Sequence, residues 1–329
     1  MHKGMQKGMR KGMRKLISRL SAALLLGTAL AVAGCSGDRS ENTEVAAATA
    51  AADAAFVSEQ EAWRAERRDR LLAPDGWTTL VGLHWIELNA HYIGSSRESG
   101  MRLAKGPPRL GMLQQREGRL YLTPERGVGL TVDGELLTGR TELHSDRSST
   151  PTLIDFDAGQ GQMNVIERAG RRALRVRHLE ADSRLRFAGI DYWPVDASWL
   201  IEGQFSTHPP GQMLEVASLI GGTETMGNPG VVEFERDGQV FRLQALDDGA
   251  DGLLLILADR TSGQGSYGAG RYLDADAADA DGRVMLDFNR AYNPPCAFTN
   301  YSTCPLPPLE NRLDLAITAG EKAYVAPAG

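Results

Sequence analysis

Residues 286–312 read LDFNRAYNPPCAFTNYSTCPLPPLENR, and the reading of this stretch governs everything around it. It holds five of the fifteen prolines, two of the three cysteines, three asparagines besides Asn311, two arginines and two tyrosines. Proline fixes φ and removes a backbone donor, so Asn293-Pro294-Pro295 and Cys304-Pro305-Leu306-Pro307-Pro308 belong neither to a helix interior nor to a central strand. The segment is stiff, irregular backbone. A strand-like run, Val284 to Phe288, leads into it, and a second strand candidate, Leu313 to Thr318, leads out. The rest of the chain is expected to be a β scaffold that carries this loop.

Outward from the loop, the pattern of residues 146–329 is one of β-hairpins. Met163–Arg168 is set against Ala173–His178 across Ala169-Gly170, and Val231–Arg236 against Gln239–Leu243 across Asp237-Gly238. Leu253–Ala258 is a continuous apolar run, which suits a strand covered on both faces. Ile190–Pro194 and Thr207–Pro210 are irregular and fit the lining of a cleft. Residues 56–145 also read as strands and turns, with Asp133-Gly134 a hairpin signal. They follow one N-terminal surface helix, whose start is placed at the capping box Ser58-Glu59-Gln60-Glu61 and whose stop is at Ala73-Pro74-Asp75-Gly76. The fold class is therefore mainly β: an N-terminal β-sandwich, then a C-terminal sheet or barrel-like region with the proline-cysteine loop over 287–312. In HYIGSS, PPRLGMLQQREGRLYL and VDGELL the N-terminal part resembles the forkhead-associated sandwich. The residue after Gly94 is Ser95 in place of arginine, so the resemblance implies a fold and no phosphopeptide site.

The first 55 residues are of another kind. Residues 1–34 carry seven Lys/Arg and no acid, then the apolar run Ser21–Ala33, too short to span a bilayer. This is an export leader, and its ending Val32-Ala33-Gly34-Cys35 resembles a bacterial lipobox, which implies a lipidated Cys35 and a membrane partner through that anchor. Ser36, by resemblance to Gram-negative sorting, directs the product to the periplasmic face of the outer membrane. Residues 35–55 hold Ser, Thr, Asp, Glu and Ala with no aromatic side chain until Phe56, and read as a flexible tether of about 25 Å reach. Without the leader the chain has 29 basic and 42 acidic residues, a net of −13. Such a surface repels polyphosphate, which excludes nucleic acid as a partner.

Motifs for chemistry are few. Gly263-Gln264-Gly265-Ser266-Tyr267-Gly268 fits a dinucleotide fingerprint, but no helix start follows, so it reads as a β connection and no cofactor is expected. Asp274, Asp276, Asp279 and Asp281 miss the spacing of a calcium loop and read as a solvated turn, so no metal is expected. His84, His91, His144, His178 and His208 are scattered, with neither H-E-x-x-H nor G-x-S-x-G. In an exported chain Cys296 and Cys304 are expected to form a disulfide. What remains is a polar set around the loop: Arg271, Asp287, Asn289, Arg290, Tyr292, Glu310, Asn311 and Arg312. Carboxylates beside guanidiniums suit a polar or anionic ligand, acid–base chemistry, or an internal brace.

The segments GWTTLVGLHWIELNAHYIG (76–94), DRTSGQGSYGAGRYLD (259–274), LDFNRAYNPPCAFTNYSTCPLPPLENRL (286–313) and AGEK (319–322) together resemble the bacterial domain-of-unknown-function 1684 family, whose members include uncharacterised lipoproteins. The resemblance runs from about Trp63 to Lys322 and implies kinship without a mechanism. Three functions stay open on the residues. One is a binding module for a polar or anionic envelope ligand, a small molecule or a glycan. Another is a hydrolase using Asp287 or Glu310, and the third is a structural envelope protein.

Overall fold

The computed structural model describes residues 38–247, 249 and 251–327, with side chains from residue 50 onward. The expected leader and Cys35, the expected lipidation residue, lie outside the described residues. The helix is longer than expected. It runs Asp38–Leu72, through most of the stretch read as a flexible tether and through the capping box at Ser58, which starts nothing. The reason is alanine: residues 46–55 are alanine at eight positions, and alanine has the highest intrinsic helix propensity. Among the residues with described side chains, docking begins at Gln60. Gln60, Trp63, Arg67 and Leu71 are buried, a stripe at spacings of three and four, while residues 50–55 are all exposed. Gly76 ends the turn after the helix, where a Cβ would lie 2.3 Å from the Leu71 carbonyl oxygen. Thr78 and Arg184 donate to the last helical carbonyls, Leu71 O and Leu72 O.

Two sheets close over one core in the N-terminal body. The five-stranded sheet contains Ala90–Gly94, Met101–Arg102, Gly111–Arg116, Arg119–Pro124 and Thr141–Leu143. The six-stranded sheet contains Leu80–Trp85, Thr131–Val132, Glu135–Leu136, Leu153–Phe156, Gly161–Arg168 and Arg171–His178. Leu113 and Leu122 from the first meet Phe156, Val165 and Leu174 from the second. The hairpin 161–178 thus pairs with Leu80–Trp85 and fills the N-terminal core, so this body ends after His178, later than the 145/146 division read from the sequence. Both central residues of the Asp133-Gly134, Ala169-Gly170 and Asp237-Gly238 turns have positive φ, as the hairpin reading requires.

The C-terminal body is a seven-stranded antiparallel sheet, ordered Arg271–Ala275, Leu253–Leu257, Gln239–Asp247, Thr223–Arg236, Leu200–Thr207, Arg283–Asp287, with Met213–Ala217 paired on Thr223–Arg236. Leu253–Leu257 is buried on both faces, as its unbroken apolar run predicts: Leu253, Leu255 and Leu257 face the main core with Phe234 and Phe288, and Leu254 and Ile256 face a second cluster under Tyr272. The exit segment Leu313 to Thr318 is not a strand. It runs beside 258–260 with only scattered backbone bonds, Leu313 N to Ala258 O and Arg260 N to Leu315 O, and its Ile317 carbonyl accepts from the Arg271 side chain.

The two bodies meet along a seam. Arg168 of the sandwich lies 3.8 Å from Glu224 of the C-terminal sheet, and Arg175 reaches Thr303 of the proline-cysteine loop. Among the described residues no helix is long and apolar enough to cross a membrane.

Candidate functional site

The polar set around the loop does not converge on one pocket; it separates into four internal braces and an exposed remainder. Arg271 has no exposed surface, pairs with Asp259 at 2.9 Å, and donates to the carbonyls of Ile317 and Ala319. It serves as a substitute ladder for a segment that forms no strand. Asp287, Asn289 and Arg290 do come together. The Asp287 carboxylate accepts from Asn289 N at 3.1 Å, from Gln60 Nε2 at 2.7 Å, and faces Arg290 Nε at 3.0 Å. Arg290 also reaches Glu59 at 2.6 Å, so this group fastens the long helix to the loop. Tyr292 lies under the Arg67 guanidinium, 4.6 Å from ring centre to Cζ, and donates to Asp274. Burial, then the nearby Asp274 carboxylate, pushes its phenol well above the usual tyrosine range. Asn311 is fully buried and bonds the backbone of Gln244 and Ile256. Glu310 and Arg312 are exposed on the surface.

The loop itself is stapled. Cys296 and Cys304 form the expected disulfide, with Cα atoms 6.2 Å apart. Its prolines leave acceptors without donors, and Asn293 shows how that is resolved. Its N–H donates to Glu321 at 2.7 Å and its carbonyl accepts from Arg67 at 2.8 Å, so two side chains do the work of a neighbouring strand. The glycine-rich 263–268 stretch is a turn in which Ser266 accepts from the Trp193 indole and from Thr261. Asp279 and Asp281 both engage Arg283.

An open cleft lies elsewhere, at one end of the C-terminal sheet where several strands stop. It encloses about 850 Å³ between Phe205, Pro229 and Leu253 on one side and Ala278, Asp279 and Gly282 on another. Ser206, Thr207 and Asp247 stand on its rim. Phe205 can lie flat here because it packs on Gly230, where a Cβ would sit 2.6 Å from the ring and 2.3 Å from the Ser206 carbonyl oxygen. Strand ends are also where backbone pairing stops, so hydroxyls and carboxylates at those positions face solvent. The arrangement is an apolar floor with hydroxyl and carboxylate groups above it, the composition of a small-molecule site.

Thr207 had a signal in the sequence, since Thr207–Pro210 reads as cleft lining, and Asp279 belongs to the acidic run. Phe205 and Asp247 had none, because a phenylalanine near a strand end looks like any other core residue. Their meeting depends on which strand ends share an edge.

The family described as protein of unknown function (DUF1684) matches residues 185–322, which is the C-terminal body with its loop and cleft. The sandwich strands lie outside the match. A solution NMR structure of an uncharacterized protein from Haloarcula marismortui is 33% identical over 42% of this chain and 78% of that one, with a TM-score of 0.36. No curated protein matches. With the braced loop, the cleft and the disulfide all inside the matched segment, the chain belongs to the DUF1684 family.

Proposed function

We propose that the protein is a binding module, anchored to the envelope through Cys35 and facing the periplasm, that takes a polar, hydroxyl-rich ligand such as a glycan segment in the Phe205 cleft. The observation that carries this reading is the cleft's make-up: an aromatic ring on the floor with Asp247, Ser206 and Thr207 on the rim. A sugar ring offers an apolar C–H face that stacks on an aromatic side chain, and hydroxyls that donate to carboxylates in charge-assisted bonds. The same carboxylates disfavour an anionic ligand in this cleft, which narrows the class to neutral polar molecules. An acidic body and a membrane anchor fit a module that meets its ligand at the cell envelope and is repelled by nucleic acid.

Calorimetric titration of neutral oligosaccharides, one of glucose units and one of N-acetylated amino sugars, tests this. Saturable binding is expected for at least one, weakened about tenfold or more by Phe205→Ala and by Asp247→Asn, a loss of about 1.4 kcal/mol or more. No binding heat from either class, or wild-type affinity in both variants, overturns the reading.

A further inference from the structure

Charge is unevenly divided along the chain. Residues 80–178, the two-sheet N-terminal body, carry 14 basic and 11 acidic residues, a net of +3, while the rest of the chain after the leader carries 15 basic and 31 acidic, a net of −16. Four of the cations of this body, Arg102, Arg116, Arg119 and Arg140, stand on one surface, the outer face of the five-stranded sheet.

Register builds that face. Ile93, Leu113, Leu120 and Leu122 point into the core, so the residues alternating with them point out. Pairing then sets Tyr92, Met112 and Thr123 in one row across three strands, and Gln114, Tyr121 and Glu142 in the next. Beyond them, at the hairpin end, Arg116 stands opposite Arg119, and Arg102 stands beside Gly94 at the other end. At the rise of a strand residue, Arg102 and Arg116 are about 20 Å apart along the strands. Between them Tyr92 is 60% exposed, and Arg140 lies over the Tyr121 ring, 4.5 Å from ring centre to Cζ.

The charges on this face do not balance. Two carboxylates stand against the four arginines: Glu142, which pairs with Arg119 at 3.6 Å, and Glu117 in the hairpin turn, without an ion pair. Arg102, Arg116 and Arg140 are exposed and have no carboxylate partner among the described residues. Elsewhere on the same body Arg109, Arg168 and Arg171 each have one, in Glu98, Asp146 and Glu87. Like charges directly opposite on a sheet cost stability, so the Arg116–Arg119 pairing gains from an anion laid across it. The C-terminal body meets the other sheet, through Arg168 and Arg175, and leaves this face to solvent.

We infer that this face binds an extended anionic polysaccharide of the uronate class, lying along the strands from Arg102 to Arg116. Sugar C–H faces stack on Tyr92 and Tyr121, and the guanidinium forks take carboxylates. The ligand is a polymer because no small anion reaches arginines so far apart. Its charge is sparse, about one carboxylate per sugar ring, as the four separated arginines are. Duplex DNA presents a charge every 1.7 Å or so, and the acidic remainder of the chain repels so dense a polyanion. The site lies on a different body from the Phe205 cleft and does not rest on the reading of that cleft.

Calorimetric titration of the whole protein with hexagalacturonate tests the site. Saturable binding is expected at low salt, weaker at high salt. Affinity should fall about tenfold or more when Arg102→Gln, Arg116→Gln and Arg140→Gln are combined, and about threefold in Tyr92→Ala, with circular dichroism checking that both variants fold. No saturable heat, or wild-type affinity in both folded variants, overturns the proposal. So does tighter binding of a single-stranded oligonucleotide or of phosphatidylglycerol vesicles, when the same variants abolish it. An oligomer at working concentration that the triple variant dissociates would make a second copy of the chain the occupant of this face and overturn it as well.

Discussion

Arg67 of the long helix and Glu321 near the C-terminus are 254 positions apart in sequence and 2.9 Å apart in space, with both side chains closed off from water. The pair brackets Asn293, taking its N–H and its carbonyl just before the Pro294-Pro295 run. Prolines cannot donate to a ladder, so the chain holds this segment with a guanidinium on one side and a carboxylate on the other. Removing one partner leaves the other charge buried and alone. Glu321→Leu or Arg67→Met alone is expected to lower stability by about 3–5 kcal/mol, and the double variant by less than the sum of the two, because the second substitution removes the charge the first left alone while the Asn293 N–H and carbonyl stay without these partners. Urea unfolding of the four proteins in the cycle measures this. Additive losses, with the double variant losing the sum of the two single ones, contradict the pairing.

The disulfide should matter less than that pair. Cys296 and Cys304 are 8 positions apart, so the loop closed is short. Loop-closure entropy for that length corresponds to about 2.5 kcal/mol. Cys296→Ser with Cys304→Ser is expected to lower the unfolding midpoint while leaving a folded protein, since Leu219 N still bonds Cys304 O and Leu306 N still bonds Ala217 O. Loss of the native circular-dichroism spectrum at 25 °C would show that the staple does more than this.

Much of the fold was legible because the signals were local. The Asp133-Gly134, Ala169-Gly170 and Asp237-Gly238 turns and the run Leu253–Leu257 each carry their structure in a few adjacent residues. The helix boundary was misread because Ser58-Glu59-Gln60-Glu61 looks like a start, while the alanines before it, with no apolar face to bury, look like a tether. Arg271, Asn289 and Asn311 look like ligand-binding residues in sequence for the reason that makes them good braces: each has several donors. Whether those donors face solvent or a neighbouring carbonyl is set by tertiary packing. The Phe205 cleft was the least legible, because its walls come from five separate parts of the chain.

The exposed part of the long helix should be dispensable to the body. Residues 50–55 are all exposed and the first fully buried side chain is Gln60. Ala51→Ser or Ala54→Ser, each at an exposed position, is expected to change the unfolding free energy by no more than about 0.5 kcal/mol. Gly76→Ala, by contrast, places a methyl against the Leu71 carbonyl and should cost about 1–3 kcal/mol. Chemical denaturation of these variants separates the exposed residues 50–55 from the docked residues 60–72.

Alkaline pH should loosen the seat of the helix through Tyr292. Its phenol is raised well above 10.0 in the folded protein by burial and by Asp274, so between that value and the folded one the unfolded chain loses a proton that the native chain keeps. Stability from this group is complete below about pH 10 and falls as pH rises above it. Tyr292→Phe removes the titration along with the bond to Asp274. The variant is expected to be less stable than wild type at pH 8 and to lose less stability between pH 8 and pH 11. Urea midpoints at the two pH values test the sign, and equal losses in both proteins would assign the alkaline sensitivity to other tyrosines.

Gly230→Ala tests whether the cleft's shape, and not merely its residues, matters for binding. The new methyl meets the Phe205 ring and the Ser206 carbonyl oxygen, and strand Leu200–Thr207 cannot retreat easily because Thr207 pairs with residue 230 and Ser206 with Val231. The ring is the softer neighbour and should swing off the floor. Stability should fall by about 1–3 kcal/mol from overpacking. Oligosaccharide affinity should fall further than that loss explains, because every rim group of the cleft is still present while the platform has moved. Asp247→Asn is the control: it keeps the ring in place and removes only the charge of one acceptor, so it should weaken binding with little change in stability. If Gly230→Ala binds as wild type does while Asp247→Asn does not, recognition rests on the rim alone and the ring has no share in it.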